Sequence, residues 1–280
     1  MQGHVDKDIR IIAVFISSLL LSACDLPVFT EAGRQALTKT HLYRLSATVN
    51  QLRVDALLLL DKDNVTMAEV SGQTQVIGEL LDEFAQASKD NTLMQSYKKQ
   101  WQTITAHVRE LNPREQKYQA FLRLRAVTSK NLAVLNGGLD KFARATVTGK
   151  ISPELIYMAS GALFLNERMQ HSLTLLLLRT GDGAMILDRF ELDARSLKLN
   201  LNEMQTYIVK DTQKKSPAKQ LLGQIEMLRL EYNQALPAVV ELLELAPEYL
   251  DFVERTEKLQ ELLGQLDELF NEKIRSYNIE

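Results

Sequence analysis

Apolar residues recur at alternating spacings of three and four along most of this chain, and the pattern is best kept between Leu155 and Met204. In one arm Leu155, Met158, Ala162, Leu165, Met169, Ser172 and Leu176 form the seam; in the next, Phe190, Ala194, Leu197, Leu201, Met204 and Ile208 do. A 3.5-residue repeat of this kind is the signature of helices packed almost antiparallel. Between the arms, Thr180-Gly181-Asp182-Gly183 predicts a turn, with glycine suited to a left-handed helix end and Asp182 to capping the next helix.

The rest of the chain repeats this hairpin. A first helix from Thr30 carries Leu42, Leu45, Val49, Leu52, Ala56 and Leu59, and a second carries Val70, Thr74, Ile77, Leu81 and Phe84. A third, with Met94, Tyr97, Trp101, Ile104, Val108 and Leu111, is broken by Asn112-Pro113, because proline removes a donor and restricts the residue before it. The long fourth keeps Leu132, Leu135, Leu139, Phe142 and Thr146 in phase through Gly137-Gly138, which predict a bend or a close helix contact. Gly149 to Pro153 reads as a boundary, with Ser152 as cap and Pro153 in the first helical turn. After the two arms, one helix holds Leu221, Ile225, Leu228, Tyr232, Ala235, Val239 and Leu242, with a kink predicted at Pro237. Ala246-Pro247 predicts the start of a last helix, with Val253, Leu259, Leu262, Leu266, Leu269 and Phe270 on its seam.

Eight segments joined by short turns predict an all-α fold of two tandem four-helix-bundle-like modules, residues 24–149 and 150–280. If the fourth and fifth helices run end to end, the two modules form an elongated helical rod. The runs Leu57 to Leu60 and Leu175 to Leu178 read as buried bundle centre. Composition supports helix throughout: 6 prolines, 12 glycines and 6% aromatic residues in 280 positions argue against a sheet. The net charge of −3 gives no reason to invoke nucleic acid.

The N-terminus changes the picture more. Lys7 and Arg10 precede a mostly apolar run from Ile11 to Leu21, too short to span a bilayer and suited to the core of a signal peptide. It ends in Leu21-Ser22-Ala23-Cys24, and Cys24 is the single cysteine of the chain. This order resembles the bacterial lipoprotein signal, which implies removal of residues 1–23 and lipidation of Cys24. Several acyl chains make such an anchor stable. Asp25 resembles the signal that retains lipoproteins at the inner membrane, so the expected location is the periplasm, lipid-anchored, with the inner membrane favoured over the outer.

Two stretches at matching places in the two halves carry a second resemblance. One is Glu31 to Leu37 running into Leu42; the other is Ala159-Ser160-Gly161 through Leu165 to Met169, followed by Asp188-Arg189-Phe190 and Asp193-Ala194. Together they resemble the duplicated periplasmic sensor of PilJ-type methyl-accepting chemotaxis transducers of type IV pilus systems, itself similar to the P-box helix of nitrate and nitrite sensor kinases. The family helix shows two arginines about five residues apart. The matching places hold Ala36 and His41 in the first half, and Gly161 and Arg168 in the second. The resemblance implies a sensor-like binding protein with ligand-binding candidates at Arg168, Glu167, Asn166, His41 and Arg34. It implies a membrane chemoreceptor or pilus-system protein as partner and leaves room for a homodimer. A structural or adaptor lipoprotein without a small ligand is the alternative.

Other chemistry is thin. His107 and His171 do not stand at metal-ligand spacing with an acidic partner, and Arg123, Arg125 and Lys130 make only a sparse basic strip. There is no phosphate-cradling glycine loop, no nucleophile with a base nearby and no carboxylate pair in a cleft-like context. No metal, cofactor or enzymatic activity is expected.

Overall fold

Heptad seams of this regularity leave the backbone little choice, and the computed structural model of the chain is helical almost throughout its described residues, 31–60, 65–88, 91–149, 152–179, 182–212 and 218–279. Seven α-helices lie in them: α1 Glu31–Leu58, α2 Met67–Ala87, α3 Asn91–Leu111, α4 Glu115–Thr148, α5 Pro153–Leu178, α6 Gly183–Thr212 and α7 Ala218–Ile279. A 3-10 turn, Asn112–Arg114, separates α3 from α4 at the predicted break. No strand occurs among the described residues. The segment expected as a signal peptide and Cys24 lie outside them, as do Gly181 and the side chain of Arg34.

Local signals account for several helix ends. Thr66 and Glu69 form a reciprocal capping box at α2. Asp182 caps α6 as predicted, accepting from the amides of Ala184 at 2.9 Å and Met185 at 3.3 Å. Ser152 occupies the cap position of α5 with Pro153 after it, but its hydroxyl donates to Glu154 and makes no cap bond. The left-handed residue ending α5 is Arg179, at φ 53°, rather than a glycine. Of the two helical glycines, Gly137 faces open space, whereas a Cβ on Gly138 would lie 2.6 Å from Leu228 Cδ2. The close contact therefore belongs to Gly138.

The chain divides into two compact units, each supplied with four helical segments. One comprises the described residues up to Arg109 and the segment from Thr256 on; the other is Glu110–Arg255. The stretch from Gly149 to Pro153 falls inside the second unit, where α4 and α5 lie side by side rather than end to end, since Asn166 of α5 bonds the Leu132 carbonyl of α4. The division differs because α7 does not stop at Pro247. Its seam keeps phase through both prolines, over Tyr232, Ala235, Val239, Leu242, Ala246, Tyr249 and Phe252, all buried. Pro237 and Pro247 sit on the exposed side, where water can satisfy the carbonyls they leave without a donor.

In the first unit the buried seams of α1, α2 and α3 close on Leu259, Leu263, Leu266 and Phe270 of α7. Leu262 and Leu269, expected on that seam, are only half-buried, as is Val253 in the second unit. Tyr97 packs edge-on against Phe270, with ring centroids 4.9 Å apart, and Ser46 donates to Asp267 at 2.6 Å. Asp55 is buried and accepts from Gln51 at 2.9 Å and from Gln73. Trp101 is buried beside Gly78.

In the second unit Tyr118 and Phe121 of α4 stack with Tyr249 and Phe252 of α7 at centroid distances of 4.1 to 5.6 Å. Beside this cluster Asp251 accepts from Arg114 and Arg255. Burial pushes the Asp251 carboxyl up, but the two guanidinium groups outweigh it and hold it below its usual value. The leucine runs are only partly buried: Leu176, Leu59 and Leu60 are inside, while Leu57, Leu177 and Leu178 are exposed.

Candidate functional site

The helix carrying the family-like residues, α5, is held on both sides by polar side chains. Its buried face is Leu155, Ala159, Ala162, Asn166, Met169, Ser172, Leu173 and Leu176. Five of the seven predicted seam positions are buried, while Met158 and Leu165 are half-buried and give way to Ala159 and Asn166, a small rotation of the seam. α5 is apolar nearly all round, so periodicity alone does not fix which stripe turns inward.

That rotation puts Asn166 in the core. Its Nδ2 donates to the Leu132 carbonyl and to Asn136 Oδ1, both at 3.0 Å, while its Oδ1 is buried with no hydrogen-bond partner. Gln170 reaches the same carbonyl at 3.4 Å. These bonds tie α5 to α4. Asn166 is thus a positioning residue within the bundle rather than a surface ligand contact.

On its other flank α5 meets α6. Arg168 donates through Nε to Asp193 Oδ2 at 3.0 Å and through Nη2 to Oδ1 at 2.6 Å, a two-pronged pair in which Asp193 has 2% of its side chain exposed and Arg168 37%. The guanidinium also lies 5.4 Å from the centre of the Phe164 ring. Near the same contact Asn200 Nδ2 donates to the Met158 carbonyl at 3.1 Å. A Cβ on Gly161 would stand 3.2 Å from that amide, so the place of the second family arginine is occupied by a packing glycine. Toward the start of α5, Tyr207 donates to Ser152 at 2.6 Å and Ser152 donates to Glu154, which lowers the pKa of the Glu154 carboxyl.

The three candidate side chains of α5 do not converge. Glu167 is exposed beside Arg168, while Asn166 points into the bundle. His41 and Arg34 belong to the other unit. His41 is half-buried with Nδ1 4.0 Å from Glu83. Burial lowers its pKa, Glu83 opposes that, and Arg44 adds to it. Asp193, Asn136 and Asn200 were not anticipated as contacts of α5. The available signal was a polar residue next to a seam position, as Asp193 stands next to Ala194.

Chemically, Asp193 neutralises Arg168, so an anion must compete with a buried carboxylate for the guanidinium. The edge away from Asp193, Nη1 and the second Nη2 hydrogen, is what a ligand could reach. Open grooves flank the bundles, one of about 630 Å³ between Pro113, Lys117, Pro247 and Asp251. A second, of about 490 Å³, lies between α6 and α7 over Tyr232, Leu236 and Val239, with Lys198 and Glu244 at its rim. Another, of about 460 Å³, lies between α2 and α3 beside Trp101. Tyr232 donates to the Ala194 carbonyl at 2.8 Å, and burial pushes its hydroxyl up to about 12, so it remains a donor. No described helix is long and apolar enough to cross a membrane.

No family model matches the chain, and no curated protein matches it. Among solved structures it is similar to the sensor domain of the V. parahaemolyticus histidine kinase sensor TorS, at 14% identity and a TM-score of 0.47, over 86% of this chain and 99% of that one. It is also similar to the TorS sensor domain in complex with TorT in the presence of TMAO, at 13% identity and a TM-score of 0.44, with the same coverage of each chain.

Proposed function

We propose that the chain is a lipid-anchored periplasmic sensor-like binding protein that acts through a membrane receptor of a chemotaxis or type IV pilus system. It binds and relays; it does not catalyse. The lipoprotein-like N-terminus and the family-like stretches of α1 and α5 support this reading. The observation that carries it is the Arg168–Asp193 pair, a buried carboxylate gripped by a half-exposed guanidinium on the helix of the family-like motif. A ligand that takes the outer edge of Arg168 changes a contact joining α5 to α6, and through Asn166 it bears on α4 as well. A binding event there reaches three helices.

A thermal-shift panel of small anions and amino acids on the intact protein tests this. The expected result is a saturable stabilisation by one class of ligand that is lost in Arg168→Ala. No shift at millimolar ligand contradicts it and favours the second reading, an adaptor lipoprotein that makes protein contacts only. One observation favours that alternative: Asp193 already neutralises the guanidinium. Anchoring is tested separately by Cys24→Ala, expected to block processing and release the protein from the membrane fraction.

A further inference from the structure

Trp101 is the single tryptophan of the chain, and its polar edge is left without a partner. The residue is only 9% exposed, yet its Nε1 makes no hydrogen bond among the described residues. A buried indole N–H ordinarily finds one. The edge that carries it faces α2, where a Cβ on Gly78 would stand 3.4 Å from Nε1. That is an ordinary van der Waals contact, so packing does not demand the glycine, and glycine inside a helix is less stable than alanine. What the missing side chain does is leave the indole N–H open to the groove that Gly78 and Trp101 both line.

The groove, of about 460 Å³, has the size of a small-ligand site, and its polar groups are ordered along it. Thr74 and Thr105 donate to carbonyls of their own helices, of Val70 at 2.7 Å and of Trp101 at 2.8 Å, so their oxygens remain as acceptors beside the indole donor. Arg109 lines one end, exposed and without an ion pair among the described residues. Toward the other end Glu79 accepts from the neutral amide of Gln75 at 3.0 Å, while Asp82 is paired with Lys98 at 2.9 Å. The groove therefore has a cation at one end, an anion at the other, and both donors and acceptors between them.

The spacing of the two charges selects the length of what fits. Trp101 stands level with Gly78 and Lys98 with Asp82, so α2 and α3 run antiparallel. Glu79 is one residue beyond Gly78 in one direction, and Arg109 is eight residues beyond Trp101 in the other. At about 1.5 Å per helical residue the two are roughly 13 Å apart along the hairpin. An extended chain covers about 3.4 Å per residue, so a free amino acid reaches one end only, whereas about four residues reach both. We propose that the α2–α3 groove binds a short peptide with free termini, held extended with its carboxylate at Arg109, its amino group at Glu79 and a backbone carbonyl on Trp101 Nε1. The site lies wholly within the first unit and does not depend on any ligand at Arg168.

Emission from Trp101 tests this in the full chain in mild detergent, since no other tryptophan contributes. Tetra-alanine is expected to change the emission saturably at submillimolar concentration. N-acetyl-tetra-alanine and tetra-alanine amide each lack one terminal charge, and each is expected to bind at least roughly 10-fold more weakly, the loss of a charged hydrogen bond. Arg109→Ala and Glu79→Gln, both at exposed positions, are expected to weaken the unmodified peptide similarly with unchanged melting curves. Gly78→Ala puts a methyl over the indole N–H; it should lose tetra-alanine binding while melting no lower than the wild type, a combination that a merely structural glycine does not give. Emission left unchanged by millimolar tetra-alanine, or a response indifferent to the capped ends and to Gly78→Ala, overturns the inference.

Discussion

Removing either side of the Arg168–Asp193 pair should have unequal consequences. In Arg168→Ala the Asp193 carboxylate stays in the α5–α6 interface with its strongest partner gone. Breaking a buried pair this way costs about 3–5 kcal/mol. Because Arg168 is itself more than a third exposed, water screens part of the interaction, and about 3 kcal/mol is the appropriate figure. In Asp193→Ala the guanidinium can turn outward into water, so the loss should be about 1–1.5 kcal/mol, that of a charged hydrogen bond. The double variant should lose no more than about 2 kcal/mol, which gives a coupling of roughly 2 kcal/mol across the pair. For a unit of this size, 3 kcal/mol corresponds to a drop in melting temperature of about 6–12 °C. Two compact units need not melt together, so calorimetry should be paired with hydrogen exchange on the amides of residues 153–178. If the two single variants fall equally, or both stay within about 0.5 kcal/mol of wild type, the pair is an ordinary surface bridge and the reasoning fails.

Three further outcomes are expected. Gly137→Ala should stabilise α4 by up to about 1 kcal/mol through helix propensity, whereas Gly138→Ala should gain nothing or destabilise, because its Cβ meets Leu228; denaturation midpoints of the two variants check this. Arg179→Gly, at the left-handed end of α5, should stabilise by about 1 kcal/mol, read from the same melts. Tyr232 has a folded pKa raised by burial to about 12, above the ordinary 10. Its contribution is complete below pH 10 and is lost as pH rises toward 12; the alkaline fall in melting temperature should be smaller in Tyr232→Phe.

How much of this was legible in the sequence depended on how unevenly apolar residues are spread around each helix. In α1, α2, α3, α4, α6 and the first half of α7 one apolar stripe dominates, and every predicted seam position there is buried. α5 has apolar residues on every side, so Met158 and Leu165 competed with Ala159 and Asn166, and packing against α4 decided the matter. That rotation is why Asn166 turned from a candidate ligand contact into a core residue. Pro247 was read as a helix start because proline is common there, yet the unbroken seam from Tyr232 to Phe252 was the stronger signal. The two compact units group α4 with α5 and α6, and the end of α7 with the first three helices, through that continuity. Arg168 stood out beside the seam in the sequence, but its partner Asp193 lies 25 residues away and no local pattern links them.

The claim that the protein works from the membrane through a receptor is tested most directly by photo-crosslinking in living cells. A photoreactive residue is placed in turn at Val134, Val209 and Val240, three exposed positions of the second unit, and the adducts are identified by mass spectrometry. The account expects at least one position to yield a defined adduct with an integral membrane protein, and expects that adduct to vanish in Cys24→Ala. Adducts confined to soluble proteins, or a membrane adduct indifferent to Cys24, would contradict it.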